Sequence, residues 1–255
     1  MSYKPRTLRS FYNPTILFLF NRSSYALQPW LKSESYNVVT VDYNNTDHSL
    51  IQTIKYDLMQ TNNYGFFRLN LDLSRLDAKE EIDSRLCSLG FQSPNIVISF
   101  APCTDLAVSG AAHFQRKREA NPRFQEEATK LCKLAAAWGV PYCVENPVSV
   151  LSSTWRKPDH IIHPWEFAGY CPKGKHPEFP GIIPEQDRYN KRTCLWTDFG
   201  FKLPMKKPLT PFAHDNHGHV KLGGKSARTK YIRSLTPRGL AQAFYEGNMI
   251  AQEAK

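Results

Sequence analysis

The chain has 255 residues, 41% of them apolar and 13% aromatic, which is too rich in core-forming side chains for a disordered protein and long enough for one sizeable domain. Its formal charge of +10 favours a polyanionic partner, nucleic acid or an anionic membrane face. No apolar run spans a bilayer, and the basic start "MSYKPRTLRSF" lacks the apolar stretch of a signal peptide, so a cytoplasmic location is expected.

Apolar runs and helix-like segments alternate along the chain. "TILFLF" (15–20) is the first predicted strand, and "YNVVTVDY" (36–43) is the second, ending on an acid, Asp42. "GFFRLNL" (65–71) is the third and is followed by Asp72. "AKEEIDSRLCSLG" (78–90) has helical spacing and stops on glycine. "NIVISF" (95–100) is the fourth strand. A helix is predicted over "NPRFQEEATKLCKLAAAWG" (121–139), which opens with Asn-Pro and closes on glycine. "PYCVEN" (141–146) and "TCLWTDF" (193–199) are the fifth and sixth strands. The stretch 170–190, rich in proline, glycine and charge, is predicted to be a long surface loop. "TPRGLAQAFYEGNMIAQEA" (236–254) is predicted to be a C-terminal helix, although Gly239 and Gly247 oppose it.

Strand and helix in this rhythm imply a parallel sheet covered on both faces. Ligands of such sheets bind beyond the carboxyl ends of the strands. Asp42, Asp72, Cys103 and Glu145 each lie at or just past a predicted strand end, so all four are expected on one rim. The six cysteines are scattered without a CxxC pair and are expected to be free thiols, mostly core fillers. Cys103 differs because Pro102 holds it on a strand-to-loop turn. A thiolate there could attack an electrophilic carbon, with inert burial as the alternative. Glu145, at the end of the next strand, either joins that thiol around a small planar ring or caps the following turn. His214, His217 and His219, with Cys171 and His176, match no zinc spacing, and no metal is expected.

"APCTDLAVSGA" (101–111), "ENPVSVLSSTWRKPDHIIHPWEFAG" (145–169) and "KRTCLW" (191–196) resemble phrases of the DNA cytosine-5 methyltransferases, in particular a compact phage-type branch. The resemblance runs from about Asn95 to Trp196 and reappears at "TPRGLAQAF". It implies a Rossmann-like class I methyltransferase fold, α/β and mainly parallel with one antiparallel strand, in a single domain over 1–255. A small basic segment, about 199–235, stands where larger members carry a target-recognition domain.

The implied activity is methylation of C5 of cytosine in DNA from S-adenosylmethionine, with the base flipped out of the helix. Cys103 would be the nucleophile at C6, Pro102 would shape its loop, and Glu145 would meet the base. "ENP" brings Asn146 and Pro147 into the same loop. Tyr189 to Thr193 align with the family's Gln-x-Arg-x-Arg, so Lys191 would hold the base carbonyl and Thr193 would stand for the second arginine. Trp165 and Phe167 either wall the base pocket or pack in the core.

Asp42 and Asp72 fit the acids that meet ribose and adenine, or else cap local turns. The family's Phe-x-Gly-x-Gly loop corresponds to Phe20, Asn21, Arg22, Ser23 and Ser24, in which both glycines are replaced. Three readings of that departure stand: a donor site built on a different loop, a silent DNA-binding relative such as a phage decoy or regulator, or an enzyme with an anionic or other one-carbon donor. A free cytosine nucleotide is the alternative substrate. In a phage-encoded protein the cytoplasm would be that of the bacterial host.

Overall fold

The computed structural model describes residues 13–21, 23–33, 35–42, 66–210, 222 and 226–250. Arg22, the three loop histidines, and residues 211–221 and 223–225 of the basic segment lie outside them. Seven strands form one sheet: β1 (Thr15–Leu19), β2 (Asn37–Asp42), β3 (Phe66–Asn70), β4 (Ile96–Ser99), β5 (Tyr142–Pro147), β6 (His160–Ile162) and β7 (Thr193–Asp198). Their spatial order is β3-β2-β1-β4-β5-β7-β6, and β7 runs antiparallel to both its neighbours. This order, with its reversed seventh strand, is the Rossmann-like class I methyltransferase sheet.

The six strands read from the sequence are all present, within a residue or two of the predicted ends. Every side chain of β1 and β2 is buried because helices cover both faces, so these strands read as continuous apolar runs. Residues of alternate parity enter two separate cores. Ile16, Phe18, Val38 and Ile98 face one, and Leu17, Leu19, Val39 and Val97 face the other.

The helices are α1 (Ser24–Lys32), α2 (Ala78–Ser88), α3 (Phe114–Ala120), α4 (Phe124–Lys133), α5 (Leu151–Thr154), α6 (Ala227–Ser234) and α7 (Arg238–Gly247). The segment predicted as one helix over 121–139 is α4 followed by a 3₁₀ stretch, Leu134–Trp138, ending on Gly139 at φ +63. The C-terminal helix is shorter than predicted. It ends at Gly247, where Asn248 donates to Phe244 O at 2.8 Å and holds both backbone groups of Lys202. Asn248 therefore has a local structural task.

Gly239, which opposed the helix prediction, proves necessary to it. A Cβ there would sit 2.3 Å from Phe167 O, so only glycine lets α7 approach the 3₁₀ stretch Pro164–Tyr170. Phe167 itself is fully buried in the first core, which settles its packing role over a pocket wall.

The predicted surface loop over 170–190 requires a larger correction. His176, Ile183, Asp187 and Tyr189 are each about 2% exposed. Ile183 and Tyr189 pack with Tyr25, Ile232 and Leu235 in a third apolar cluster that covers the start of α1. Arg238 and Asp187 form a buried ion pair with Nη2–Oδ1 at 2.7 Å, and Arg238 N also donates to that carboxylate. Arg238→Met should strand Asp187 and cost about 3–5 kcal/mol, read from urea unfolding midpoints, with Arg238→Met/Asp187→Leu recovering part of the loss.

His176 Nδ1 accepts from the backbone N–H groups of Glu178 and Phe179, a role only the neutral ring fills. Burial pushes its pKa down from 6.5 to about 4. The unfolded chain binds this proton below about pH 6.5 and the folded protein does not. Stability should therefore be lost as pH falls from 6.5 toward 4. His176→Asn keeps an acceptor without a titrating ring, and its thermal midpoint should fall less between pH 7 and pH 4.5, by scanning calorimetry.

Candidate active site at the carboxyl rim

The strand registers place a row of residues along the rim. Leu19 pairs with Val41 and with Ser99, Ser99 pairs with Val144, and Asp42 pairs with Asn70. One step further, Asn70, Asp42, Phe20, Phe100 and Glu145 stand side by side at the carboxyl ends of β3, β2, β1, β4 and β5. The strand order reverses between β1 and β4, which opens the crevice used by ligands of doubly wound sheets. Asp42 lies on one side of that crevice and Glu145 on the other. They are three strand spacings apart, about 14 Å.

Cys103 sits three residues beyond the end of this row, in a loop tied down on several sides. Its carbonyl accepts from Leu106 N at 3.0 Å and Ala107 N at 2.8 Å, which makes a tight turn. Asn146, fully buried, donates Nδ2 to Ala101 O at 3.0 Å and so fixes the chain just before Pro102. Val108 N donates to Val148 O, and Val150 N donates to Leu106 O, which lock this loop against the chain following Glu145. Pro102 is exposed and Cys103 is partly exposed. Cys132, by contrast, is fully buried with its thiol pushed up to about 12 by burial. The sequence context of the two thiols thus corresponds to a physical difference in access.

Lys191 precedes β7, whose antiparallel pairing sets Thr193 opposite Pro147 and Leu195 opposite Glu145. Its Nζ lies 3.8 Å from Glu145 Oε1 and donates to Arg233 O at 3.4 Å. Thr193 Oγ1 donates to Lys191 O at 3.1 Å, so the hydroxyl shapes the backbone that presents the lysine. Burial raises the Cys103 thiol above its ordinary value, the Glu145 carboxylate raises it further, and the Lys191 ammonium opposes both. Thiol, carboxylate and ammonium therefore act on one another electrostatically. Glu145 and Lys191 thus form a pair, and Cys103 lies within electrostatic reach of both, on a loop that Asn146 holds through Ala101 O.

On the other side of the crevice, Phe20 adopts φ +56, a left-handed conformation rare for a side-chain-bearing residue, and turns the chain sharply from β1 into α1. Asn21 and Ser24 are each 1% exposed, yet Asn21 Nδ2 and Ser24 Oγ have no hydrogen-bond partner among the described residues. Ser23 does not cap α1 with its side chain. Its Oγ instead accepts from Thr236 N. Two buried, unused donor groups at an uncapped helix start fit a carboxylate, and Asp42, 6% exposed at the end of β2, fits hydroxyl groups.

Asp72 is differently employed. Its Oδ1 accepts from the backbone and hydroxyl of Ser74, which hold its pKa below the ordinary carboxylate range. It faces a cleft of about 250 Å³ shared with Asn70, Arg75, Glu81 and Arg85, along β3 and α2. Trp165 stacks on His163, with ring centroids 6.4 Å apart. Among the described residues no group of three or more histidine, cysteine or acidic side chains could hold a metal, and no helix is long and apolar enough to cross a membrane.

No family model matches the chain, and no curated protein does. Among solved structures, the glycopeptide N-methyltransferase MtfA is similar in two forms. The form with (S)-adenosyl-L-methionine is 9% identical over 73% of this chain, and the form with (S)-adenosyl-L-homocysteine is 8% identical over 60%. The TM-score is 0.28 in both, and this chain spans 59% and 53% of their lengths. The fold assignment rests on the strand order and not on this likeness.

Proposed function

We propose that the protein modifies cytosine at C5 in DNA, most directly by methyl transfer from S-adenosylmethionine. The observation that supports this reading is the Lys191–Glu145 pair at the end of β5, whose two charges both act on the Cys103 thiol beyond β4, beside a crevice whose far side carries Asn21, Ser24 and Asp42. The Cys103 thiolate would form a bond to C6 of the flipped base and push electron density to C5. Glu145 would hydrogen-bond N3 and N4 and help the ring accept that density. Lys191 would donate to the base carbonyl and keep Glu145 in place. When bound, S-adenosylmethionine supplies an electrophilic methyl group that C5 takes up. Loss of the C5 proton then restores the double bond and breaks the S–C6 bond, freeing Cys103. Asn21 Nδ2 and Ser24 Oγ would donate to the carboxylate of the methionine part, and Asp42 would accept from the ribose hydroxyls.

Duplex DNA fits the charge distribution. The exposed Arg116 and Arg118 of α3 follow the Cys103 loop, and α6 carries the exposed Arg228, Lys230 and Arg233, the last of which accepts from Lys191 through its carbonyl. Such side chains serve phosphates and supply affinity that falls with salt.

The test is mass spectrometry of nucleosides from DNA of cells that express the protein. An added CH2 on deoxycytidine is expected. A different increment would overturn the choice of donor, and unmodified deoxycytidine together with salt-sensitive DNA binding would leave a silent binding protein. Calorimetry with S-adenosylmethionine tests the donor separately, and absence of heat at high protein concentration would contradict it.

A further inference from the structure

Besides the backbone bonds that join Leu106 and Val108 to the chain after Glu145, two side chains restrain the backbone on either side of Cys103. Asn146 holds the side before it, through Ala101 O. The side after it is held by Lys117, which projects from α3 back onto the loop. Lys117 Nζ donates to Thr104 O at 2.8 Å and to Asp105 Oδ1 at 2.6 Å, the two residues that directly follow the nucleophile. A lysine ammonium has three donors, so two of them are committed to this loop. The side chains of Lys117 and Asp105 are 27% and 41% exposed. A pair so exposed contributes little to global stability. Its effect is local: it ties α3 to the backbone one residue from the reacting sulfur.

We propose that Lys117 is a positioning residue for the Cys103 nucleophile, acting as a latch that holds the loop from Thr104 to Asp105 against α3. The proposal rests on the function assigned above, but one of its readouts does not. Without the latch, the turn closed by Leu106 N and Ala107 N onto Cys103 O loses its outer support, and the half-buried thiol moves and opens to solvent. A displacement of about 1 Å at a reacting atom lowers turnover by up to about a hundredfold.

The experiment compares the wild type with Lys117→Met and Lys117→Arg. Lys117→Met should keep its thermal midpoint. Iodoacetamide should alkylate its Cys103 several-fold faster, followed by peptide mass spectrometry. Its kcat on DNA should fall about ten- to a hundredfold with little change in KM. Lys117→Arg, whose planar fork can reach both a carbonyl and a carboxylate, should restore both readouts in large part. Alkylation and kcat within twofold of the wild type in Lys117→Met would overturn the proposal. So would a rise in KM with a weaker salt dependence and unchanged alkylation, which would make Lys117 a phosphate contact. If the wild type modifies no DNA, faster alkylation in Lys117→Met still supports the latch while the functional reading fails.

Discussion

Cys103→Ser is expected to leave a folded protein with no measurable modification of deoxycytidine, a loss on the order of 10⁴-fold or more. Cys103 is partly exposed at a strand-to-loop turn and belongs to none of the apolar clusters, so an oxygen in place of its sulfur removes little core packing. What changes is chemistry. A serine hydroxyl ionises far less readily than a thiol, even beside a carboxylate, and adds poorly to C6. Its thermal midpoint should match the wild type, and its DNA affinity should be unchanged at each salt concentration. A Cys103→Ser protein that still modifies DNA would remove the nucleophile from the mechanism. Alkylation should also distinguish Cys103 from the buried Cys132, Cys143, Cys171 and Cys194, which iodoacetamide should reach only on unfolding.

Glu145→Gln is expected to produce two effects of opposite direction. Turnover should fall about 10²- to 10⁴-fold, because the ring loses the carboxyl that helps it accept charge. The Cys103 thiol should at the same time become more acidic, because a like charge that opposes its ionisation is gone. The pH profile of alkylation should therefore move to lower pH in Glu145→Gln. It should move to higher pH in Lys191→Met, which removes the opposing ammonium. A glutamate that merely capped its turn would slow turnover without shifting the thiol profile in this direction. A variant that is slower in catalysis yet faster in alkylation separates the two roles.

The parts of this site differ in how visible they are in the sequence. Buried strands carry long apolar runs, so six strands follow from the pattern of residues alone, and with them the rim shared by the carboxyl ends of β1 to β5. Strand β6 did not, because three residues, "HII", are too few to show a period. Helix α1 was hidden by Pro29 in its interior and by the serines that open it. The 170–190 segment reads as a surface loop because its prolines, glycines and charges are local signals. Its burial depends on Tyr25, Ile232 and Arg238, which are distant in sequence. Cys103 and Glu145 were legible from their places at strand ends and from the resemblance. The pairing of Lys191 with Glu145 needed the antiparallel register of β7. Lys117 left no signal, since a basic side chain on a short helix is an ordinary solvated residue until the fold returns it to Thr104 and Asp105. The Phe20 turn went unseen because glycine, not phenylalanine, is the usual mark of a left-handed position.

The central claim is a covalent bond between Cys103 and C6 of a cytosine. Its most direct test is the intact mass of the protein after incubation with S-adenosylmethionine and a duplex in which 5-fluorocytosine replaces cytosine. Fluorine at C5 cannot depart as a proton does, so the S–C6 bond should persist. The expected result is a protein–DNA adduct carrying one added methyl group, mapped to the Cys103 peptide and absent from Cys103→Ser. Free protein of unchanged mass, or an adduct on another residue, would contradict it.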